Sequence, residues 1–305
     1  MSSAVVFAYH NVGVRCLSVL FAHGVDVKLV VTHQDNPNEN IWFDSVAKLA
    51  ALHGIPVITP ENPNDPAVVE QIRALAPDFF FSFYYREMLK APLLAIPKRG
   101  ALNMHGSLLP KYRGRVPVNW AIIHGETESG STLHYMTEKP DNGDIVAQQA
   151  VPILPDDTAF EVFQKVTVAA EIALDRVLPE LIAGTSVAVR QDLSKGGYFG
   201  GRKPADGIID WTMSARRIHN LVRAVAPPYP GAATTLVGRP MRILQTLVVD
   251  EHATSGAGFR VEDGNAYADC GQGVLRVLRF ELDGEAMSAE EFAVRYGTQK
   301  FEFNC

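Results

Sequence analysis

Three cysteines in 305 residues, Cys16, Cys270 and Cys305, are too few and too far apart for a disulfide framework, a zinc site or a redox pair. Reduced thiols in a cytoplasmic protein are the expectation. No apolar stretch reaches the ~20 residues that a membrane-spanning helix needs. The N-terminus enters the apolar run Ala4 to Ala8 without the basic start and cleavage site of a signal peptide, so membrane insertion is not expected. Basic residues do not dominate either: 28 Lys and Arg stand against 34 Asp and Glu, a formal net charge of -6. That balance argues against a broad electrostatic grip on nucleic acid, while a local basic pocket stays open. Low-complexity segments and tracts of like charge are missing too.

What is present is an alternation. Ala4 to Tyr9 is a continuous apolar run, Val14 to His23 has helical spacing, and Val27 to Thr32 is β-branched again. Trp42 to His53 predicts a helix ended by Gly54, Ile55 to Ile58 a strand, Ala67 to Ala76 a helix, and Asp78 to Phe83 a third buried strand. The pattern is α/β and implies a mostly parallel sheet with helices on both faces. The aromatic run Phe79-Phe80-Phe81-Ser82-Phe83 fits central-strand packing better than a ligand platform.

Val116 to His124 reads as a helix, Ser131 to Met136 and Asp144 to Val151 as strands, and Thr158 to Ala183 as a long helix closed by Gly184. Then come the glycines of Gly196 to Pro204, which fit no phosphate-loop motif. They form either a plain hinge or a segment whose Arg202 and Lys203 reach an anionic substrate. From about Gly207 the pattern changes to a helix, Ser214 to Ala226, and short strands at Thr234 to Leu236, Met241 to Val249, Ala266 to Asp269 and Gly273 to Glu281, which suggest a small β-barrel. Asp206 to Cys305 holds 10 Lys and Arg against 13 Asp and Glu, which disfavours nucleic-acid binding there.

The residues best suited to chemistry are Asn103, His105 and Asp141. In an extended segment Asn103 and His105 project to one side while Met104 faces the core. The strand then breaks at Gly106 and Pro110, and open α/β sheets place ligands where their strands end. A lone buried His or Asn is as readily a satisfied core group as a catalyst, and Pro-Asp-Asn-Gly is a good turn sequence. The Gly break and the basic loop Lys111-Tyr112-Arg113-Gly114-Arg115 shift the balance towards function. Lys111 and Arg113 are either solvated loop charges or ligand contacts.

The run His105-Gly106-Ser107-Leu108-Leu109-Pro110-Lys111-Tyr112-Arg113-Gly114, with Asn103 before it and Asp141 downstream, resembles the signature of enzymes that take a formyl group from 10-formyltetrahydrofolate. The likeness runs the length of the chain. Val6 to His10, Thr32 to Pro37 and Phe81 to Arg86 resemble the formyltransferase domain of the bifunctional polymyxin-resistance enzymes, which formylate UDP-4-amino-4-deoxy-L-arabinose for lipid A modification. The resemblance implies a Rossmann-like catalytic domain with the folate site over 1–189, a linker over 190–206 and a small oligonucleotide-binding-like β-barrel over 207–305. It implies that 10-formyltetrahydrofolate is the co-substrate, with no metal. It assigns the folate to Glu87, Met88 and Leu89, to Arg115, and to the backbone of Thr137, Glu138, Lys139 and Pro140. Glu87 and Met88 depart from the family's usual residues, so contact there is expected through main-chain atoms. Those enzymes also carry an NAD-dependent decarboxylase domain that this sequence lacks, so another polypeptide is expected to supply that step.

Formyl transfer to an amine fits the trio. Asn103 can donate N–H to a developing oxyanion, a term worth about 2.7–4 kcal/mol per donor in acyl transfer. His105 can move a proton, as base or as acid, and a carboxylate at Asp141 would favour its imidazolium. Within the family a tRNA-formylating member is expected to carry a Lys/Arg-rich insertion after the second strand. Here His33 to Asn40 has acids and no Lys or Arg. A nucleotide-linked amino sugar is therefore the expected acceptor, with methionyl-tRNA the alternative. A formyltetrahydrofolate hydrolase and a non-catalytic folate-binding protein are further readings, and a homo-oligomer is compatible with all of them.

Overall fold

Strand β1 (Ser3–Ala8) lies inside the first sheet: Ala4 to Ala8 are wholly buried, as a strand covered on both faces must be. The computed structural model describes residues 2–254 and 256–303, and Cys305 lies outside the described residues. After β1 the chain runs through α1 (His10–Ala22), β2 (Asp26–Val31), α2 (Val46–Leu52), β3 (Val57–Ile58), α3 (Pro66–Ala74), β4 (Phe79–Phe83), α4 (Ala91–Leu94) and β5 (Ala101–His105). It continues through β6 (Arg113–Gly114), α5 (Pro117–Ile123), β7 (Glu128–Tyr135), β8 (Ile145–Pro152), the long α6 (Ala159–Ala183) and β9 (Tyr198–Phe199).

The main sheet has the order β3-β2-β1-β4-β5-β7-β8. Its first five strands are parallel neighbours, and β7 runs antiparallel to β5. The order reverses between β1 and β4, and such a switch opens a crevice beyond the strand ends. All five residues of Phe79–Phe83 are buried, and Phe80 meets Phe7 edge to face at 5.2 Å. The aromatic run is core.

Two helices of the first sheet begin elsewhere than the sequence-based expectation. Helix α2 begins at Val46 rather than Trp42, because Ser45 caps it by accepting Lys48 N–H at 3.3 Å. Trp42 and Phe43 instead pack against His10. Helix α1 begins at His10, four residues before the amphipathic spacing becomes visible.

The chain forms two compact units, one of Met1–Pro117, Glu128–Val151 and Phe163–Gly200, the other of Val118–Thr127, Pro152–Val162 and Gly201–Cys305. The second holds α7 (Ala215–Val225), β10 (Ala232–Leu236), β11 (Arg239–Asp250), β12 (Gly258–Glu262), β13 (Asn265–Asp269), β14 (Val274–Leu282), β15 (Glu285–Met287), α8 (Ala289–Tyr296) and β16 (Phe301–Glu302). Its antiparallel sheet, ordered β10-β11-β14-β13-β12-β16 with β15 on β14, is a half-barrel. Register shifts in β11 against β14 give the local bends that curl such a sheet. Trp211, Ile218, Phe259, Phe280 and Phe292 fill it. Helix α8 escaped the pattern reading although Ser288-Ala289-Glu290-Glu291 is a capping box, with both reciprocal bonds formed.

Cys16 and Cys270 are buried free thiols, and burial pushes the Cys270 thiol up to about 12. Among the described residues no helix is long and apolar enough to cross a membrane, and no group of three or more His, Cys, Asp or Glu is placed to hold a metal ion.

Candidate active site

Strand β5 delivers Asn103 and His105 to one face, while Met104 turns into the core at 1% exposure. The antiparallel partner decides what meets them. Register pairs Asn103 with His134 and His105 with Thr132, and cross-strand partners share a face. His134 was not singled out in the sequence. Its strand was, but only the pairing register reveals which residue lies opposite Asn103.

Asp141 joins the two rings. Its Oδ1 lies 3.6 Å from His105 Nδ1 and 3.4 Å from His134 Nε2, and its Oδ2 accepts the Gly114 N–H at 2.7 Å. On their other sides His105 Nε2 lies 2.8 Å from Tyr112 O and His134 Nδ1 lies 2.8 Å from Tyr135 O. Carbonyls only accept, so those two ring nitrogens carry hydrogen. Asn103 Nδ2 lies 3.2 Å from His134 Nε2. His134 Nε2 thus lies between the Asn103 amide and the carboxylate, while His105 turns Nδ1 to the carboxylate. Burial alone would raise the Asp141 carboxyl. His105, the hydrogen bond and charge of His134, and the Gly114 N–H together outweigh it and hold the group well below the usual carboxylate range.

The turn carrying Asp141 is held independently. Asp141 adopts φ 54°, Gln191 Nε2 donates to Asp141 O at 2.9 Å and to Gly143 O at 2.6 Å, and Arg113 Nη1 donates to Asn142 Oδ1 at 2.9 Å. Gly143 is required by space, since a Cβ there would lie 1.9 Å from Tyr135 O. Pro-Asp-Asn-Gly is thus both a turn and the carrier of the carboxylate.

Thr137, Glu138 and Lys139 are exposed and Pro140 half-buried, with Thr137 Oγ1 donating to Lys139 O at 2.9 Å. Arg115 is exposed and follows Gly114 directly. Glu87 and Met88 are exposed and Leu89 is buried. Met88 O accepts Asn64 Nδ2 at 2.8 Å. Among the described residues no hydrogen bond or ion pair joins Glu87, Met88 or Leu89 to Asn103, His105 or Asp141. Arg202, half-buried in the second unit, donates to Asp206 O at 3.2 Å.

The segments after β1, β2 and β4 meet one another. Tyr9 Oη donates to Asp35 at 2.7 Å, Arg86 holds Glu39 through two bonds of 2.6 and 2.7 Å, and the Arg86 N–H donates to His33 Nε2 at 3.0 Å. His33 stacks on Tyr85 at 4.2 Å. His10 sits among Trp42, Phe43 and Phe163, and burial, helped by the charge of Arg86, pushes its pKa down to about 3.

Two family models match the chain: formyl transferase over residues 18–178 and formyl transferase, C-terminal domain, over residues 202–297. Solved structures share the fold. An N-formyltransferase from Helicobacter canadensis in complex with folinic acid and dTDP-3-aminofucose superposes with TM-score 0.72 at 22% identity, covering 91% of this chain and 98% of that one. WlaRD, a sugar 3N-formyl transferase solved in the presence of dTDP and 5-N-formyl-THF, gives 0.70 at 20% identity over 91% and 97%. A sugar N-formyltransferase from a Shewanella species gives 0.64 at 21% over 80% and 96%. With both family models matched in sequence order over most of its length, the chain belongs to the formyl transferase family.

Proposed function

We propose that this formyl transferase moves a formyl group from 10-formyltetrahydrofolate to the amine of a nucleotide-linked amino sugar, with UDP-4-amino-4-deoxy-L-arabinose as the first candidate acceptor. The convergence of Asn103, His105 and Asp141 at the end of β5 carries the transfer chemistry. When bound, the folate supplies the formyl group. Arg115, the backbone of Glu87 to Leu89 and that of Thr137 to Pro140 would hold it. The exposure of Arg115, Glu87, Met88 and Thr137 to Lys139 fits that task.

In this mechanism the contact with His134 fixes the plane of the Asn103 amide, which offers an N–H to negative charge on the substrate oxygen. His105 moves the proton at Nδ1. The 3.6 Å to Asp141 exceeds an N–H···O hydrogen bond, so that edge of the ring can serve a substrate proton. Asp141 stays ionised and stabilises the imidazolium when it forms.

For the acceptor, the segment His33 to Asn40 carries acids and no Lys or Arg, and its two acids are tied to Tyr9 and Arg86. A surface of that charge suits a small substrate better than a polyphosphate chain. The Helicobacter canadensis protein binds a dTDP-linked amino sugar, which supports the same class. The resemblance of Val6 to His10, Thr32 to Pro37 and Phe81 to Arg86 to the polymyxin-resistance enzymes supports the UDP sugar as the first acceptor to test. An assay with 10-formyltetrahydrofolate decides: N-formylation of UDP-4-amino-4-deoxy-L-arabinose is expected. Formylation of methionyl-tRNA without turnover of the sugar, or release of formate without any acceptor, would overturn the assignment.

A further inference from the structure

The glycine-rich segment Gly196 to Gly200 is bonded along its length to the loop that follows β5. Its strand β9 pairs in parallel with β6, so Arg113 N–H donates to Gly197 O at 3.0 Å and Arg115 N–H to Phe199 O at 2.9 Å. Arg113 Nη2 adds a bond to Gly196 O at 3.1 Å. The Phe199 ring stacks on Tyr112, centroids 5.0 Å apart and planes 28° from parallel. The approach is so close that two glycines are obligatory. A Cβ on Gly196 would lie 1.9 Å from Pro110 O, and one on Gly114, whose φ is 101°, would lie 2.1 Å from Phe199 O.

The loop held in this way provides two groups to the trio. Tyr112 O takes the hydrogen on His105 Nε2, and Gly114 N–H binds Asp141 Oδ2. Tyr112 itself adopts φ 54°, a conformation costly for a residue with a side chain, which persists only where surroundings enforce it. Phe199 contacts both ends of the loop, its ring on Tyr112 and its carbonyl on Arg115.

We propose that Phe199 is a positioning residue for formyl transfer: by fixing the Tyr112–Gly114 loop it sets which nitrogen of His105 carries hydrogen and where Asp141 points. The role in turnover rests on the function proposed above. The effect on the His105 ring does not.

The test is Phe199→Ala in the full chain, read by steady-state kinetics with 10-formyltetrahydrofolate and UDP-4-amino-4-deoxy-L-arabinose and by the nitrogen-15 spectrum of the His105 imidazole without substrate. Misplaced catalytic groups cost about tenfold to a hundredfold in kcat, and that loss is expected here with both KM values within about twofold. The single Nε2–H form of His105 should be lost in the spectrum, and Phe199→Tyr should restore both readouts. If Phe199→Ala unfolds below assay temperature, Phe199→Leu serves: it keeps bulk without the stacked plane and should show the same signs at smaller size. Wild-type kcat and an unchanged His105 spectrum in the folded variant would overturn the proposal. A changed spectrum in a protein whose wild type formylates no amino sugar would leave the positioning role standing and sink the functional assignment instead.

Discussion

Asn103 and His134 face each other across β5 and β7, with the amide Nδ2 3.2 Å from the imidazole Nε2. In the proposed mechanism this contact orients the amide that stabilises charge. Asn103→Ala should lower kcat by about 10²–10³, the usual cost of one such donor. His134→Ala leaves the donor present but unoriented, so a smaller loss in kcat at unchanged acceptor KM is expected. Equal kcat in His134→Ala and wild type would remove His134 from the site.

Asp141 is held below its unfolded pKa by His105, His134 and the Gly114 N–H. A depressed carboxyl stabilises the fold fully above its unfolded value of about 3.9 and loses that contribution as pH falls through the folded value. Asp141→Asn should therefore lower the urea midpoint at pH 7, and the gap to wild type should narrow at pH 3. A gap of the same size at both pH values would show that the charge is not its source. Activity should fall in parallel with His105→Ala, since both remove the same proton relay.

His10 shows the same sign from a different cause. Its pKa falls from 6.5 to about 3, first through burial among aromatic rings and then through the charge of Arg86. The folded state keeps the ring neutral, while the unfolded chain protonates it below about 6.5. Stability supplied by this ring is complete above that pH and is lost on the way down to about 3. His10→Gln should shallow the acid limb of a stability–pH curve between those limits. An unaltered limb would mean that another group governs it.

Gly143→Ala would place a Cβ 1.9 Å from Tyr135 O. The atom met belongs to the backbone of β7 and leaves little room to relax, and overpacking of this kind costs about 1–3 kcal/mol. Because the clash moves the turn bearing Asp141, both the melting temperature and kcat should fall. A variant with lowered melting temperature and wild-type kcat would show the turn to be free of the catalytic geometry.

Part of this was legible in the residues. The alternation of apolar runs and helical spacings revealed the sheet, because buried parallel strands must be apolar on both faces. Asn103 and His105 at i and i+2 shared a face for the same local reason. The motif from His105 to Gly114 then placed the chain among formyl transferases, and the family models agree. Helix α2 was set too early because aromatic Trp42 and Phe43 satisfied the spacing, whereas their burial lies with His10, 32 and 33 residues earlier in the chain.

Sequence alone determined what depends on short range: strand and helix periods, the turn at Pro140 to Gly143, and an amide, an imidazole and a carboxylate in the right order. Tertiary structure decided what depends on register and long-range approach. His134 became a partner of Asn103 only because β7 pairs with β5 one way and not one residue over. Asp141 became the shared anion only when Gln191 and Arg113 fixed its turn 38 residues from Asn103 along the chain. The glycines of Gly196 to Gly200 likewise had no readable role in isolation, because the backbone they must approach lies some 80 residues earlier at Pro110 to Gly114. No local pattern encodes such a distance.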